Sequence, residues 1–495
     1  MAEKFFWADA IAEKIIKERG KKKEYVCASG ITPSGTIHIG NFREIITTDL
    51  VVKALENKGK KVKFIYSWDD YDRFRKVPKN VSEKYEKYIG MPLSEIPSPF
   101  GKGSYASYFE KELENQLKKV GINPYYIYQN ERNKKCQYAS LIKIALDNRE
   151  KIMKILNKYR KEPLNKNWQP ISIYCEKCKK DFTKILQINN YEIEYECGCG
   201  FKDKFDFRKK GIISVKWRID WPMRWKYEKV DFEPGGIDHS VYGGSYTTSK
   251  EIIKEIYKAE APIYVFYDWV KIKGGKEFSS STGNVTTIQD VLDIYEPEIA
   301  RYLFVGTKPK TGFQISFDND VIKIYEDYDK LEEKYYSKKA DSREKRIYEL
   351  CQIKLNKKKP NKESFRHLIS LVQIGKLENL NKKSKERALK VKNWLKKYAG
   401  EDMKFKVQNK ITSKLTAKEK LALIELKERL RKKKYSEEDL FNEFYKICEK
   451  VDIKNTEFFD AAYRVLINKK KGPRLAALIL NIGQNKIIKL LEKIK

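Results

Sequence analysis

The chain has 495 residues, enough for about three or four domains. It carries 104 Lys and Arg against 69 Asp and Glu, and the net charge of +35 favours a polyanionic partner such as a nucleic acid. A lysine-rich proteome or a heat-adapted surface gives a similar balance. Charged residues interrupt every apolar run before the ~18 residues that a membrane span needs, and residues 1–20 have the mixed pattern of an ordinary helix rather than a signal peptide. We therefore expect a cytoplasmic protein without a membrane segment.

A strand, a loop and a helix are predicted near the start of the chain. The apolar run "EYVCASG" (24–30) is typical of a buried strand, and "NFREIITTDLVVKALENKG" (41–59) repeats apolar residues at helical spacing. The loop between them, "GITPSGTIHIGN" (30–41), holds His38. Free N–H groups at a helix N-terminus favour anions, and glycines let a ligand approach the backbone. The loop therefore predicts a phosphate site, although a plain helix-start loop with a hydrogen-bonded histidine has the same composition.

A second strand indicates the type of sheet. The run "FIYSW" (64–68) lies in "KVKFIYSWDDYDRFRKVP" (61–78) and is followed at once by Asp69, Asp70 and Asp72. Strand, helix and strand in this order favour a parallel, doubly wound α/β sheet, in which ligands bind at the carboxyl ends of the strands.

Four of the eight cysteines are grouped in two short motifs, "CEKC" (175–178) and "CGC" (197–199). Two such pairs can bring four thiolates to the corners of a tetrahedron, which predicts a closed structural zinc site rather than a catalytic one. The scattered remaining cysteines are typical of a reducing compartment. The predicted zinc ligands are Cys175, Cys178, Cys197 and Cys199.

The later part of the chain changes character twice. Strand-like pieces resume in "GIISVKWRID" (211–220) and "APIYVFYDWVKI" (261–272), so the cysteine-rich stretch is an insertion that splits one nucleotide-binding sheet. The loop "KGGKEFSSSTGN" (273–284) is rich in hydroxyls and glycine and suits closure over phosphates, although alone it is typical of any surface loop. From about residue 336 the pattern is helical and rich in lysine.

Six motifs together resemble class I lysyl-tRNA synthetase. They are "SGITPSGTIHIGN" (29–41), "SWDDYDRFRKVP" (67–78), "KWRIDWPMRW" (216–225), "GIDHSVYGGSY" (236–246), "PEIARYLFVGTKP" (297–309) and "KGPRLAALILNIG" (471–483). The "HIG" and "SSSTGN" stretches are similar to the two signatures of class I synthetases. The resemblance covers most of residues 1–335 and returns near the end of the chain, and it is weaker over 340–465.

The resemblance implies an ATP-dependent lysine–tRNA ligase with a Rossmann-like catalytic domain. Lysine and ATP would form lysyl-adenylate and pyrophosphate, and the terminal adenosine of tRNA(Lys) would then take the lysyl group and release AMP. ATP would bind with Mg²⁺, which neutralises phosphate charge, and one structural Zn²⁺ would be present. The implied domains are 1–120 (first catalytic half), 121–212 (zinc-bearing insertion), 213–335 (second half and junction) and 336–495 (helical anticodon-binding domain).

The resemblance also implies roles for individual residues. The catalytic set is His38, Asn41, Lys276, Ser279, Ser280 and Ser281. The remaining ATP-binding set is Pro33, Ser34, Gly35, Ile39, Gly40, Thr282, Gly283 and Asn284. The lysine-binding set from the family is Gly30, Thr32, Trp217, His239 and Tyr267. On charge grounds alone we add Asp220 as a partner for the lysine ammonium, and Trp217 and Tyr267 could instead be plain core aromatics.

The second signature departs from the family pattern. It usually begins Lys-Met-Ser-Ser-Ser, and here Glu277 and Phe278 occupy the first two places, with Thr282 at the sixth and Lys276 one place upstream. Two other interpretations therefore stay open. One is a non-catalytic RNA-binding relative, and the other is a class I synthetase for another amino acid such as glutamate or arginine. Residues 96–109 offer no Cys or His for a second metal, so we expect a single zinc.

Overall fold

A computed structural model describes residues 6–274 and 285–494 of the chain. These residues form two compact units. The sheet unit comprises Met1–Leu292, Pro297–Ile315 and Asp341–Leu355, and the helical unit comprises Asp293–Glu296, Ser316–Ala340 and Asn356–Lys495. The predicted domain boundaries at 120, 212 and 335 stay predictions.

Strands occur in the sheet unit and helices in both units. The strands are β1 (Tyr25–Ile31), β2 (Val62–Trp68), β3 (Tyr125–Tyr128), β4 (Ile171–Ile173), β5 (Thr183–Asn189), β6 (Glu192–Cys197), β7 (Lys202–Asp206), β8 (Ile213–Val215), β9 (Phe232–Gly236), β10 (Ile263–Tyr267), β11 (Val270–Ile272) and β12 (Phe313–Ile315). The helices up to residue 305 of the chain are α1 (Trp7–Arg19), α2 (Ile39–Glu56), α3 (Tyr105–Lys119), α4 (Gln129–Lys134), α5 (Ala139–Asp147), α6 (Arg149–Asn157), α7 (Trp217–Glu228), α8 (Ile237–Ser240), α9 (Ser245–Glu255), α10 (Ile288–Ile294) and α11 (Pro297–Val305). The later helices are α12 (Asp320–Tyr336), α13 (Ser342–Cys351), α14 (Phe365–Ile374), α15 (Lys382–Lys397), α16 (Ala417–Lys432), α17 (Glu437–Val451), α18 (Asn455–Ile467), α19 (Leu475–Ile482) and α20 (Gln484–Leu491).

The central sheet has five strands in the order β3-β2-β1-β9-β10, and every pairing in it is parallel. The chain first builds outward from β1 to β3 and then returns to the other side of β1. The order therefore reverses between β1 and β9, which is where a doubly wound sheet opens a crevice for ligands. This confirms the predicted fold class, and it brings the ends of β1, β2, β9 and β10 to one edge.

The insertion between β3 and β9 holds two small antiparallel sheets. Strands β5, β6 and β7 form a three-stranded sheet, and β4 pairs with β8. The strand-like interpretation of 211–220 is correct only for β8, because helix α7 begins at Trp217. Trp217, Trp221 and Trp225 recur at a spacing of four, so their rings meet along one helical face.

The helical unit has its own apolar core. Its buried side chains come from α16 to α20 and include Leu423, Leu426, Phe444, Phe458 and Ile479. None of the helices within residues 6–274 and 285–494 is both long and apolar enough to cross a membrane.

Candidate active site

The main cleft of the sheet unit has a volume of about 720 Å³ and lies at the carboxyl ends of the parallel strands. Its lining comes from segments that are far apart in the sequence. The lining residues are Gly30, Ile31, Thr32, Ser34, Asn41, Glu44, Ile45, Tyr66, Asp69, Asp72, Arg73, Phe74, Arg75, Lys76, Pro78, Leu93, Trp217, His239 and Tyr267. The cleft therefore unites four of the six motifs that carry the family resemblance.

Glycine at position 30 is required by the packing of two strands. Gly30 pairs with Ser67 in the parallel register of β1 and β2. A Cβ at position 30 would lie 2.7 Å from the Ser67 carbonyl oxygen and 2.9 Å from its Cβ, closer than carbon atoms approach in real structures. Gly30 thus keeps the end of β1 close to β2, where it forms part of the cleft wall.

The first signature turns directly into helix α2. His38 precedes the helix, and its backbone N–H donates to the Asn41 side-chain oxygen at 3.2 Å. Burial lowers the pKa of His38, so the ring is neutral at pH 7 and offers a hydrogen bond rather than a charge. Gly40 lies against this ring, because a Cβ there would be 2.9 Å from His38 Cε1 and Nδ1.

The first signature also contacts the segment that follows the second. The Ile39 N–H donates to the Thr286 carbonyl at 2.8 Å. Among the predicted phosphate-binding residues, Ser34 and Asn41 line the cleft, and Pro33, Gly35, His38, Ile39 and Gly40 belong to the same loop and helix start. The predicted second-signature residues lie outside the described residues: Lys276, Glu277, Phe278, Ser279, Ser280, Ser281, Thr282, Gly283 and Asn284.

Five of the six predicted lysine-binding residues line the cleft: Gly30, Thr32, Trp217, His239 and Tyr267. Trp217 stacks on Trp221 with ring centroids 5.0 Å apart. The sixth residue, Asp220, does not line this cleft. Its carboxylate pairs with the Arg224 guanidinium, and both border a much smaller neighbouring cavity.

Glu44 is a cleft residue that the sequence analysis missed. Its carboxylate accepts hydrogen bonds from Ser29 Oγ at 2.8 Å, from the Gly30 N–H at 3.2 Å and from the Tyr267 hydroxyl at 2.8 Å. Burial raises the pKa of Glu44, while these three donors oppose the rise. Its position in the predicted helix could have indicated this residue. Glu44 follows Gly40 and Asn41 by about one turn and therefore lies on the same helical face.

A second group of carboxylates follows β2. Thr32 Oγ1 donates to Asp72 at 2.8 Å, and Arg224 forms an ion pair with Asp69. Burial, with the neighbouring Asp69 charge, raises the pKa of Asp72 to about 7. Burial likewise raises the pKa of Asp220 to about 6, against the attraction of Arg224. Arg224 forms ion pairs with Asp69 and Asp220, and its charge acts on Asp72 less strongly than burial and the Asp69 charge do. The Asp72 carboxylate is therefore suited to a ligand cation.

Basic residues follow these aspartates at once. Arg73, Arg75 and Lys76 all line the same cleft. Arg75 and Lys76 are exposed, while Arg73 lies 3.3 Å from an Asp181 carboxylate oxygen. One cleft therefore has carboxylates at its base and cations at its edge, a distribution that suits a ligand pair bearing an ammonium and phosphates.

The four clustered cysteines form a group suited to a metal. Their Sγ atoms all lie within 4.8 Å of one another. The Cys175–Cys199 and Cys178–Cys197 sulfur pairs are 3.7 Å and 3.6 Å apart, whereas a disulfide requires about 2.0 Å. A tetrahedron with zinc–sulfur bonds of about 2.3 Å has edges of about 3.8 Å, so the donor set fits zinc. Among the described residues this is the one group of three or more Cys, His, Asp or Glu found close enough to hold a metal.

Comparison with known proteins identifies the family. The family model for class I tRNA synthetases (K) matches residues 5–354. Relatives named lysine–tRNA ligase include those of Borrelia garinii subsp. bavariensis (46% identity, 98% of this chain and 99% of the relative), Treponema pallidum (42%, 98% and 98%) and Pyrococcus horikoshii (39%, 98% and 99%).

A solved structure supports the fold independently. The chain is similar to a glutamate tRNA ligase from Elizabethkingia meningosepticum, with a TM-score of 0.50, 14% identity and coverage of 96% of this chain and 100% of that chain. At this identity the likeness concerns the fold alone. The family-model match and the full-length relatives, taken with the six motifs, show that the chain belongs to the class I lysyl-tRNA synthetase family.

Proposed function

We propose that the cleft at the edge of the central sheet binds L-lysine and ATP side by side and forms lysyl-adenylate there. The family makes the chain an ATP-dependent lysine–tRNA ligase, and the assignment of steps to residues is our proposal. One observation carries it: a cleft of about 720 Å³ joins the Asp72 carboxylate to the basic edge formed by Arg75 and Lys76.

The lysine end is the part lined by aromatic and acidic residues. Asp72 and Glu44 provide negative charge for the ammonium, and Trp217, His239 and Tyr267 wall the pocket. An ammonium gains from both a carboxylate and an aromatic face. Asp220 stays a predicted lysine partner, and its pairing with Arg224 supports an indirect role, in which it holds Arg224 against Asp69.

The ATP end begins at the first signature. His38, Asn41 and Ser34 would meet the phosphates or ribose, Gly40 would let adenine lie close to the backbone, and Pro33, Gly35 and Ile39 would shape the loop. Ser279 to Ser281, Thr282, Gly283, Asn284 and Lys276 are proposed from the family motif alone to close over the triphosphate. Mg²⁺ would reduce the phosphate charge.

The reaction needs no covalent bond to the enzyme. A lysine carboxylate oxygen attacks the α-phosphorus of ATP and pyrophosphate leaves, and a ribose hydroxyl of the terminal adenosine then attacks the lysyl carbonyl carbon and AMP leaves. Positioning and charge stabilisation must therefore supply most of the acceleration. Fixed hydrogen bonds among the cleft residues, such as that from Tyr267 to Glu44, support a role in positioning.

Three further assignments belong to this proposal. Cys175, Cys178, Cys197 and Cys199 would hold one structural Zn²⁺ that stabilises the insertion. The helical unit would bind the anticodon side of tRNA(Lys). The predicted bounds of this anticodon-binding domain are residues 336–495. The cytoplasmic location stays a prediction.

The test is pyrophosphate exchange with each of the twenty amino acids. We expect exchange that depends on lysine and greatly exceeds that with arginine, glutamate or any other amino acid. Exchange with another amino acid would indicate a synthetase of different specificity, and no exchange together with tRNA binding would indicate a non-catalytic relative.

A further inference from the structure

A braced loop beside the cleft presents an exposed aromatic side chain. Tyr242 is 85% exposed and its neighbour Val241 is 55% exposed. Exposed large side chains mark binding surfaces when they form a contiguous patch rather than being scattered singly. The contacts around Tyr242 and Val241 show which of these two descriptions applies to them.

Three contacts fix this loop. Arg218 Nη1 donates to the Gly243 carbonyl at 2.8 Å, and the Gly244 N–H donates to the Val241 carbonyl at 2.8 Å. Gly243 has a φ of +71°, and a Cβ there would lie 2.9 Å from the Tyr159 Cβ. Glycine thus allows Tyr159 to pack closely against the loop, and Tyr242 is exposed in a fixed position.

The two tyrosines form one surface. Their ring centroids are 5.1 Å apart with an interplanar angle of 67°. We call Tyr159, Val241 and Tyr242 the tyrosine platform. Aromatic side chains presented to solvent are the usual stacking partners of unpaired nucleotides, because every base has a π face.

Basic residues flank Tyr159 along the chain, and one of them, Lys158, pairs with Glu251, whose carboxylate also accepts from the Tyr159 hydroxyl. The segment "KYRKEPLNKNW" (158–168) carries Lys158, Arg160, Lys161 and Lys166 against one acidic residue, Glu162. The Arg160 charge is close enough to contribute to the lowered pKa of Arg218, after the larger effect of burial. Cations interleaved with aromatic residues suit a single-stranded nucleic acid rather than a second protein.

The tyrosine platform adjoins the cleft along the chain in two places. Tyr242 follows the cleft residue His239 by three positions, a path of at most about 11 Å. Arg218, which braces the loop, directly follows the cleft residue Trp217. A polynucleotide whose terminal ribose lies in the cleft is therefore within reach of the tyrosine platform.

We propose that the tyrosine platform stacks the unpaired 3′ nucleotides of tRNA, with Arg160 near their phosphates, while the terminal adenosine enters the cleft. This inference rests on the proposed function. It assigns Tyr242 to the transfer step and gives it no part in lysine activation.

The first test compares transfer with activation. Tyr242→Ala should lower kcat/KM for aminoacylation by roughly 5- to 150-fold, the range for loss of one stacked base, and leave lysine-dependent pyrophosphate exchange unchanged. Tyr242→Trp should retain transfer because it keeps a stacking face. Tyr125→Ala removes another tyrosine of the sheet unit, 57% exposed at the sheet edge, and serves as the matched control.

The second test needs no catalysis. Intact tRNA(Lys) and tRNA(Lys) lacking its three terminal nucleotides are bound to each variant, and Tyr242→Ala should weaken only the intact tRNA. Equal weakening of both tRNAs would overturn the inference, and so would unchanged transfer. An equal loss of pyrophosphate exchange would overturn it as well. Absence of exchange in the unaltered protein would instead count against the proposed function, and the binding comparison would still decide the inference.

Discussion

The Tyr267 hydroxyl donates a 2.8 Å hydrogen bond to the Glu44 carboxylate. This contact joins the end of β10 to the first turns of α2, two segments 223 positions apart in the sequence. Glu44 also accepts from Ser29 and Gly30 at the end of β1, so one half-buried carboxylate connects β1, α2 and β10 at the cleft.

Loss of the negative charge of Glu44 should weaken lysine binding. Glu44→Gln removes the negative charge and should raise the KM for lysine in pyrophosphate exchange by roughly 10- to 100-fold, since hydrogen bonds to charged groups contribute about 1.5–3 kcal/mol. Tyr267→Phe should have a smaller effect of the same kind. Tyr264→Phe is the control, because that hydroxyl pairs with Ser240 instead. Equal effects of Tyr264→Phe and Tyr267→Phe would contradict the assignment.

Lysine affinity should depend on pH through Asp72. Burial beside Asp69 raises the pKa of Asp72 to about 7, and an ammonium requires the ionised form. Protonation below pH 7 therefore weakens binding, so the KM for lysine should fall as pH rises from 6 to 8 and then level off. Asp72→Asn should raise this KM at pH 8 and abolish much of the pH dependence. A pH profile identical to that of the unaltered enzyme would show that another group titrates.

Gly40 should be needed for the position of His38. In Gly40→Ala the new methyl would lie 2.9 Å from the imidazole, so the ring must move, and lysine-dependent exchange should fall by at least about tenfold, or about 1.4 kcal/mol. The thermal unfolding midpoint should change little. Gly306→Ala is the control, since its methyl would meet only Ile347 Cδ1 at 4.0 Å. Unaltered exchange in Gly40→Ala would mean that the ring position is unimportant.

The cysteine cluster should hold about one zinc per chain. Cys175→Ser should lower the zinc content and increase hydrogen exchange in residues 150–210 while leaving the central sheet protected, because metal binding would supply much of the insertion's folding free energy. Cys136→Ser, outside the cluster, should change neither quantity. A metal-free protein of unchanged stability would refute this prediction.

tRNA binding should depend strongly on salt. The helical unit contains a cavity of about 830 Å³ lined in part by Lys469, Lys471 and Arg474, and the Arg474 side chain is 90% exposed. Replacing Lys471 and Arg474 with Glu should weaken tRNA binding and reduce the slope of log affinity against log salt by about 2. Pyrophosphate exchange should be unaffected. An unchanged slope would place the phosphate contacts elsewhere.

The sequence alone determined the local features. Strand β1, helix α2 and strand β2 follow from apolar periodicity, and the cysteine group follows from two short spacings, because residues close in sequence are held close in space. The doubly wound class could be predicted from the order of these elements, and the family from the motifs. The strand-like interpretation of 211–220 was mostly wrong, because a short apolar run does not distinguish a strand from the start of a helix. The four-residue spacing of tryptophans that marks α7 as a helix lies mainly after residue 220.

Only the tertiary structure decided how distant side chains combine. The strand order β3-β2-β1-β9-β10 brings Gly30, Trp217, His239 and Tyr267 to one cleft, and no local pattern specifies that order. The partners of Asp220 and Glu44 were decided in the same way, since Arg224 joins Asp220 to the distant Asp69 while Glu44 meets Tyr267 across the cleft. A buried charge takes whichever partners surround it after folding, because leaving it without them costs more free energy than any local preference supplies.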